Sequence, residues 1–315
     1  MINCLIIDDM HPAIFLILEE LGIRVHYEPL IKKEEVLERI SNYEGLIVRS
    51  KLKLDKAFFA KANRLKFIAR AGSGTDNIDV SEAERLGIEI LNAPEGNRDA
   101  VAEHAMALLL NLLNKIKASD TEVRNKVWMR EANRGIELGH QTVGIIGYGN
   151  TGRAFSKRLS SFGCKVLAYD INGIKNPESG TQAVDMDVIF QQTDVLSLHI
   201  PLNDNNKYLV DKDFFANFKK PIWIINTARG ELVKTADLID ALENGQLRGA
   251  GLDVLENEKL ASYSESENQL FEQLALMNNV ILTPHVAGWT HESYRKISEV
   301  LGGKIKQYLD KVDRF

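Results

Sequence analysis

Cysteine is scarce in this sequence: Cys4 and Cys164 are the only two in 315 residues. Each lies in or beside an apolar run that reads as a buried strand. Both are therefore expected as reduced core thiols and not as a disulfide or metal pair, which suits a reducing compartment. No basic run is long enough to track a phosphate backbone. With 39 Lys and Arg against 44 Asp and Glu, and a formal net charge of −5, a nucleic-acid partner has no electrostatic support. Long apolar runs are missing too. The stretch Ile14–Leu18 is followed at once by Glu19 and Glu20, and the N-terminal residues carry Asp8 and Asp9 with no basic segment ahead of them. Neither a signal peptide nor a membrane span is expected, and the cytoplasm is the expected location. No short-period repeat, low-complexity tract or metal-ligand cluster is visible.

What is present is ordinary for a soluble globular chain: 44% hydrophobic and 26% charged residues. The length suits two domains of about 150 residues each. Short apolar runs alternate with amphipathic stretches. In the first part the runs are Cys4–Ile7, Ile23–His26, Leu46–Val48, Phe67–Ala69 and Ile88–Leu91, with Ile31–Ile40 and Ser81–Leu86 as helical patterns between them. Continuous apolar strands separated by helices imply parallel sheets covered on both faces, so the fold class is α/β. Asp99 to Ile116 shows helical spacing through Val101, Ala105, Leu108, Leu109, Leu112, Leu113 and Ile116, and reads as a long connecting helix. Residues 117–139 read as polar and irregular.

A second series begins at Thr142, with about six expected strands at Val143–Ile146, Lys165–Tyr169, Val195–Leu198, Ile222–Ile225, Ala250–Asp253 and Val280–Thr283. That is the number of a complete doubly wound nucleotide fold. Residues 257–269, rich in Glu, Ser and Asn, read as a solvated loop. The last segment, His291–Leu309, has helical spacing and no strand, so it is expected to return to the first domain. The expected domains are 1–97 plus 289–315, discontinuous and substrate-binding, and 98–288, binding the dinucleotide. Both are Rossmann-like or flavodoxin-like.

Within the second domain, Val143–Ile146 leads into Gly147-Tyr148-Gly149-Asn150-Thr151-Gly152, then a helix, then a strand ending in Asp170. Gly147 allows a tight turn, Gly149 lets the backbone approach a pyrophosphate, and Gly152 lets helix and strand pack closely. The helix N-terminus offers free N–H groups to the phosphates. Asp170 can accept hydrogen bonds from both ribose hydroxyls and would repel a 2′-phosphate, so NAD is expected over NADP. Three later strand ends carry polar groups: Asn226-Thr227-Ala228-Arg229-Gly230, Glu256 and Glu258 after Gly251-Leu252-Asp253, and Pro284-His285. A guanidinium can grip a carboxylate together with the oxygen on the next carbon. A histidine can carry a proton near neutral pH, and a carboxylate beside it can orient the ring. These are the groups that hydride transfer on a 2-hydroxy or 2-oxo acid requires.

The chain resembles the D-isomer-specific 2-hydroxyacid dehydrogenase family over nearly its whole length. The matching motifs are Arg70-Ala71-Gly72-Ser73-Gly74-Thr75-Asp76-Asn77-Ile78-Asp79, Asn97 followed by Ala102-Glu103-His104, the glycine motif, His199-Ile200-Pro201-Leu202, Asn226–Gly230, Gly251-Leu252-Asp253 and Thr283-Pro284-His285. The resemblance implies a catalytic set of Arg229, Glu258 and His285. It implies NAD contacts at Gly147, Gly149, Asn150, Thr151, Gly152, Asp170, His199, Pro201, Asn206, Thr227, Ala228 and Asp253. Ser73, Gly74 and Asn97 would meet the substrate.

Within the family the phosphoglycerate dehydrogenases are most similar, and Arg49 matches a position that faces their substrate phosphate. That implies 3-phosphoglycerate and 3-phosphohydroxypyruvate as substrates, as in serine biosynthesis. Arg70 stands close by in sequence. The family usually has proline after the reactive acid, whereas Lys259 follows Glu258 here, which leaves Glu256 as a possible substitute. Asn206 stands where threonine is common and Ala100 where serine is frequent. The regulatory C-terminal domain of long phosphoglycerate dehydrogenases is missing, so serine feedback is not expected. The region 99–128 implies a homodimer. His104 reads as a helix-start residue with a local hydrogen bond, and His11, His26, His140 and His291 as surface or loop residues. Trp128 and Trp289 read as packing residues, Trp289 bordering the pocket as an alternative. Two further readings stand beside the phosphoglycerate one: a glyoxylate or hydroxypyruvate reductase, and a non-catalytic NAD-sensing binding protein.

Overall fold

A computed structural model of the chain describes residues 2–312; Met1 and the last three positions of the expected first domain, 313–315, lie outside the described residues. The chain divides into two compact units, Met1–Arg98 with Trp289–Phe315, and Asp99–Gly288.

The first unit is built on a five-stranded, all-parallel sheet of β1 (Asn3–Ile6), β2 (Arg24–Tyr27), β3 (Gly45–Val48), β4 (Phe67–Arg70) and β5 (Glu89–Asn92), in the order β2-β1-β3-β4-β5. Its strands β1, β3 and β4 are buried on both faces because helices cover both. Leu5, Leu46, Val48 and Ile68 pack with Val36, Phe58, Phe59 and Ala83 on one side. Cys4, Ile6, Ile47, Phe67 and Ala69 pack on the other with Ile14 and Leu18 of the helix Ala13–Glu20. The C-terminal helix His291–Val312 adds Ile297, Leu301 and Ile305 to that same cluster, so the end of the chain completes the first unit's core.

The second unit holds a seven-stranded parallel sheet of β6 (Thr142–Ile146), β7 (Lys165–Tyr169), β8 (Thr181–Ala183), β9 (Val195–Leu198), β10 (Ile222–Asn226), β11 (Leu247–Leu252) and β12 (Val280–Leu282), in the order β12-β11-β10-β9-β6-β7-β8. The order reverses between β6 and β9, the switch point at which open α/β sheets bind ligands beyond the strand carboxyl ends. Val143, Ile145, Val166, Val195 and Ile225 pack against Leu108, Leu109 and Phe155. On the opposite face Leu167, Leu196, Ile224 and Leu252 pack against Ile189, Phe215 and Leu238.

Several elements differ from expectation. The second sheet has seven strands; the unforeseen β8 is the edge sequence Thr-Gln-Ala, with only Thr181 buried. The long helix runs Pro94–Asn114, starting at a proline whose fixed φ and missing N–H suit a first helical turn. Lys115, left-handed at φ 52°, breaks it from a second helix, Ile116–Arg124, inside the stretch read as irregular. That helix buries no residue, so no core periodicity marked it. The presumed loop 257–269 contains the start of a helix, Glu265–Leu276, capped by a reciprocal Ser264–Glu267 box. Both cysteines are buried and free, and burial pushes both thiols up. Among the described residues no helix is long and apolar enough to cross a membrane.

Leu301 is fully buried in the cluster shared by the C-terminal helix and the first sheet. Leu301→Ala is expected to destabilise the first unit by about 2–5 kcal/mol, read as a lower urea midpoint for that unit's transition. An unchanged midpoint would show that the C-terminal helix is dispensable to its core.

Candidate functional site

At the switch point of the second unit, three glycines do three different things. Gly147 adopts φ 92° as it leaves β6, and a Cβ there would lie 2.5 Å from the His199 carbonyl oxygen. A Cβ on Gly152 would lie 2.0 Å from the Gly147 carbonyl oxygen, so only glycine lets the helix Asn150–Leu159 sit this close to the turn. Gly149 is the reverse case. A Cβ there would meet nothing within 4 Å, and the helix it precedes has no side-chain cap and no acidic residue in its first turn. With no side chain capping it, the first turn offers backbone N–H groups where Gly149 leaves room, an arrangement that fits a pyrophosphate. Thr151 is half-buried within this turn, and Asn150 makes further contacts of its own.

Asp170 follows β7. Its carboxylate accepts from the Tyr148 N–H at 2.8 Å and the Asn172 N–H at 2.9 Å, which fixes it beside the glycine turn. His199 follows β9. Its Nε2 lies 2.9 Å from Ser197 Oγ and its ring packs against Phe155, and burial pushes the imidazole down to about 3. It is therefore neutral at physiological pH and suits a contact more than a proton donor. Pro201 is exposed. Asn206 spends its amide locally, donating to the Pro201 carbonyl at 2.7 Å and accepting from the Asn203 N–H at 2.8 Å, so it closes the turn that carries Pro201.

Beyond β10, Asn226 shapes the next turn. It accepts from the Ala228 N–H at 3.0 Å and donates to the Arg229 carbonyl at 2.9 Å, and Arg229 Nη1 donates to the Ala228 carbonyl at 2.6 Å. Thr227 and Ala228 are buried, and among the described residues the Thr227 hydroxyl has no hydrogen-bond partner, an orphan polar group that a bound ligand would satisfy. A Cβ on Gly230 would lie 1.9 Å from the Leu255 carbonyl oxygen, so this turn presses directly on the loop that follows β11.

That loop carries both candidate acids, and the structure separates them. Glu256 accepts from the Tyr208 hydroxyl at 2.6 Å and the Thr235 N–H at 3.0 Å. Its carboxylate raises the Tyr208 hydroxyl's pKa. Glu258 instead faces His285 Nδ1, at 2.9 and 3.0 Å from its two oxygens. Because a carboxylate only accepts, Nδ1 carries the hydrogen, and Nε2 is left to take or give a proton. The neighbouring Asn257 donates to Glu267 at 2.7 Å and receives the Lys259 N–H at 3.0 Å, which holds the loop on either side of Glu258. Together with Ser264, Asn257 holds the Glu267 carboxyl down at about 2.

Asp253 determines where His285 stands. It is buried, and both oxygens are filled: Oδ1 accepts the Thr283 hydroxyl at 2.5 Å and the Val286 N–H at 3.0 Å, and Oδ2 accepts the Ala287 N–H at 2.8 Å. Its backbone carbonyl accepts the His285 N–H at 2.7 Å. His285 is held at φ 55°, a left-handed conformation costing about 1–2 kcal/mol outside glycine. His104 corrects the expectation of a local helix-start bond. Its Nε2 lies 2.9 Å from Thr283 Oγ1 and 3.5 Å from Asp253. With the Thr283 proton given to Asp253, His104 must donate through Nε2. This role was not legible because the partners are 179 positions apart.

In the first unit, Arg49 follows β3. Its N–H donates to Asp8 at 2.6 Å and its guanidinium lies 3.8 Å from the Trp289 ring centroid. Arg70 ends β4 and folds back over Gly72, where a Cβ would lie 1.6 Å from its Nη1. Asn92 donates to the Ser73 carbonyl at 2.7 Å, and Asn77 to the Leu52 carbonyl at 2.9 Å, so the loop bearing Ser73 and Gly74 is pinned at both ends. Asn97 lies in the long helix, with its Oδ1 buried and, among the described residues, unpartnered. His26, expected at the surface, is half-buried on β2 with Nδ1 2.8 Å from the Tyr43 hydroxyl.

With this geometry in place, known proteins supply a context. Residues 106–287 match the family profile described as D-isomer specific 2-hydroxyacid dehydrogenase, NAD binding domain. The chain is 35% identical over 286 residues to the D-3-phosphoglycerate dehydrogenase of Archaeoglobus fulgidus, covering 90% of this chain and 53% of that one. It is 35% identical over 281 residues to the hydroxypyruvate reductase of Thermotoga maritima, covering 89% of each. The chain thus spans about half the length of the phosphoglycerate dehydrogenases it matches. The crystal structure of D-lactate dehydrogenase from Aquifex aeolicus, complexed with NAD and lactic acid, superposes with a TM-score of 0.85 at 28% identity, covering 98% of this chain and 96% of that one.

Asp253→Asn would set an amide N–H against backbone N–H donors that now share a carboxylate. The expected cost is about 1–3 kcal/mol in the second unit's urea unfolding, with His285 released from its left-handed geometry. Unchanged stability would mean that the loop is not held by this carboxylate.

Proposed function

The chain belongs to the D-isomer-specific 2-hydroxyacid dehydrogenase family, and on that premise we propose that it interconverts a small D-2-hydroxy acid and its 2-oxo acid, using NAD. The observation that carries this reading is the Glu258–His285 pair, standing beyond β11 and β12 of a sheet whose switch point is shaped for a dinucleotide. When bound, the nicotinamide supplies or takes the hydride at carbon 2. The chain's own work is binding, orientation and proton movement. Arg229 takes the substrate's carboxylate and the oxygen on carbon 2. His285 gives or receives that oxygen's proton through Nε2, and Glu258 holds Nδ1–H. The pair is half exposed, where an ion pair contributes only about 0–1 kcal/mol to folding, so its value lies in orientation.

Asp170, Gly147, Gly149, Gly152 and Thr227 are assigned to the cofactor, with Asn150, Thr151, Ala228, His199 and Pro201 beside them. Ser73, Gly74 and Asn97 are assigned to the substrate. Asp253 and Asn206, whose side chains are filled by protein partners, are assigned to shaping the loops and not to direct contact. The carboxylate at Asp170 favours NAD over NADP.

For the substrate we favour 3-phosphoglycerate and 3-phosphohydroxypyruvate, the acids of serine biosynthesis, with Arg49 on the phosphate. Hydroxypyruvate or glyoxylate is the second reading, favoured by a relative of matching length that carries the hydroxypyruvate reductase name. A homodimer through 99–128 and a cytoplasmic location complete the proposal. Ile116, Val123, Val127 and Trp128 supply exposed apolar surface in the proposed dimer region.

NADH oxidation with 3-phosphohydroxypyruvate, hydroxypyruvate and glyoxylate in parallel is the direct test. The first acid is expected to have the highest kcat/KM, and Arg49→Ala to lower kcat/KM for it alone, by about tenfold or more. Preference for the unphosphorylated acids would make the chain a general reductase. NADH binding without turnover of any acid would favour an NAD-sensing binding protein. The two glutamates give a second test: Glu258→Gln is expected to lower kcat by about 10²-fold or more, whereas Glu256→Gln acts chiefly on stability. Equal losses in kcat from both variants would break the assignment of Glu258.

A further inference from the structure

The carboxyl ends of β1 and β3, at the first unit's own switch point, hold a cluster of which the proposed function uses Arg49 alone: Asp8, Asp9, Tyr27, Arg49, Trp289 and Tyr294. Two carboxylates stand near one guanidinium, and the ordinary outcome would be an ion pair. None forms. Asp8 accepts the backbone N–H of Arg49, and Asp9 accepts two tyrosine hydroxyls, Tyr27 at 3.0 Å and Tyr294 at 2.5 Å. Those two hydroxyls hold the Asp9 carboxyl below its usual range. Among the described residues the Arg49 guanidinium donates no hydrogen bond to the protein. What it has is two rings: Trp289, whose centroid lies at 3.8 Å, and Tyr294 beside it at 5.8 Å. The two rings pack on each other at 5.4 Å.

We propose that Trp289 is the specificity-determining residue of this cluster, acting by stacking on Arg49 so that the guanidinium's fork of donors is held ready for an oxyanion on the far end of the substrate. Flat stacking occupies the face of the guanidinium and leaves its in-plane N–H groups unspent. The ring removes the freedom of a long side chain before the ligand arrives, so less order has to be imposed on binding. Asp9 fixes Tyr294, Tyr294 packs beside Trp289, and Trp289 fixes Arg49. Tyr294 and Asp9 are thus positioning residues. The fork suits a phosphate monoester best and a second carboxylate next. This inference rests on the reading of Arg49 as a substrate ligand.

The test compares 3-phosphoglycerate, a phosphate monoester, with D-2-hydroxyglutarate, a dicarboxylate, and D-glycerate, which has neither second anion. Binding to the NADH-loaded protein, where these hydroxy acids find no hydride acceptor, is measured by calorimetry, so the result does not depend on turnover. Trp289→Ala is expected to weaken 3-phosphoglycerate by about tenfold and to leave D-glycerate within about twofold. Trp289→Phe should recover most of the loss, and Tyr294→Phe should cause a smaller loss of the same kind. In an Arg49→Ala background, Trp289→Ala should add nothing, because it acts through Arg49. Tighter binding of D-2-hydroxyglutarate than of 3-phosphoglycerate, with the same dependence on Trp289, would keep the seat and make its ligand a carboxylate.

Equal weakening of all three acids, or an additive loss in the double variant, overturns the inference. If Arg49→Ala removes the preference for a second anion and Trp289→Ala does not, the stacking role fails and Arg49 stands. If Arg49→Ala leaves that preference intact, or wild type has none, the reading of Arg49 fails and takes the stacking role with it.

Discussion

The second unit's candidate site depends on one buried carboxylate. A charge taken from water is tolerated only when donors replace its hydration, and Asp253 has three of them, all within five residues on the segment Thr283–Ala287. The segment is consequently wound around the carboxylate, and His285 at its centre is forced into a left-handed conformation, with its N–H given to the carbonyls of Asp253 and Thr283. The strain of about 1–2 kcal/mol is smaller than the several kcal/mol that an unsatisfied buried carboxylate would cost, so the loop yields and the carboxylate does not. His104 extends the same network onto the long helix through Thr283. The exposed Glu258–His285 contact is the outermost link. It is too weak to position the loop, but it is well placed to orient one ring on a loop already fixed.

Steric contact fixes the other loops. At Gly230 and Gly147 a methyl group would overlap a carbonyl oxygen of the neighbouring loop, so two strand-end turns sit against their neighbours at backbone contact. Gly149 faces open space, and Thr227 keeps a buried hydroxyl that has no partner among the described residues. Crowding at two glycines and vacancy at a third are the complementary halves of one design. Turns locked by backbone contact hold the open positions steady, which is the preorganisation a dinucleotide site requires.

Much of this was legible because parallel strands buried on both faces are continuous apolar runs, and because the glycine motif combines steric and electrostatic demands that few other sequences meet. The reading failed where a signal was short, polar or distant. Thr181–Ala183 has no apolar alternation, and the helix Ile116–Arg124 buries nothing. The Ser264–Glu267 capping box was written in the sequence but was masked by a Glu- and Ser-rich composition that also describes loops. Spacing alone could not separate Glu256 from Glu258. The decision lay with Tyr208 and Thr235, which claim Glu256 from 48 and 21 residues away. The stacking of Trp289 on Arg49 joins residues 240 positions apart in sequence, and nothing local to either announces it.

The two units therefore place their arginines by different physics. Arg229 is held by a backbone turn: its own carbonyl is tied to Asn226, and Nη1 is tied to the carbonyl of Ala228. The backbone of Arg49 is held by side chains, its N–H by Asp8 and its carbonyl by Asn77, and its guanidinium lies over an aromatic face. A turn built from backbone bonds resists change, since altering it disturbs the strand that bears it. An aromatic face can be replaced by a single substitution, with the β-sheet beneath it intact. The Asp253 network is contained entirely within the second unit. The stack on Arg49 shares no side chain with that network, so each can be altered by its own substitution.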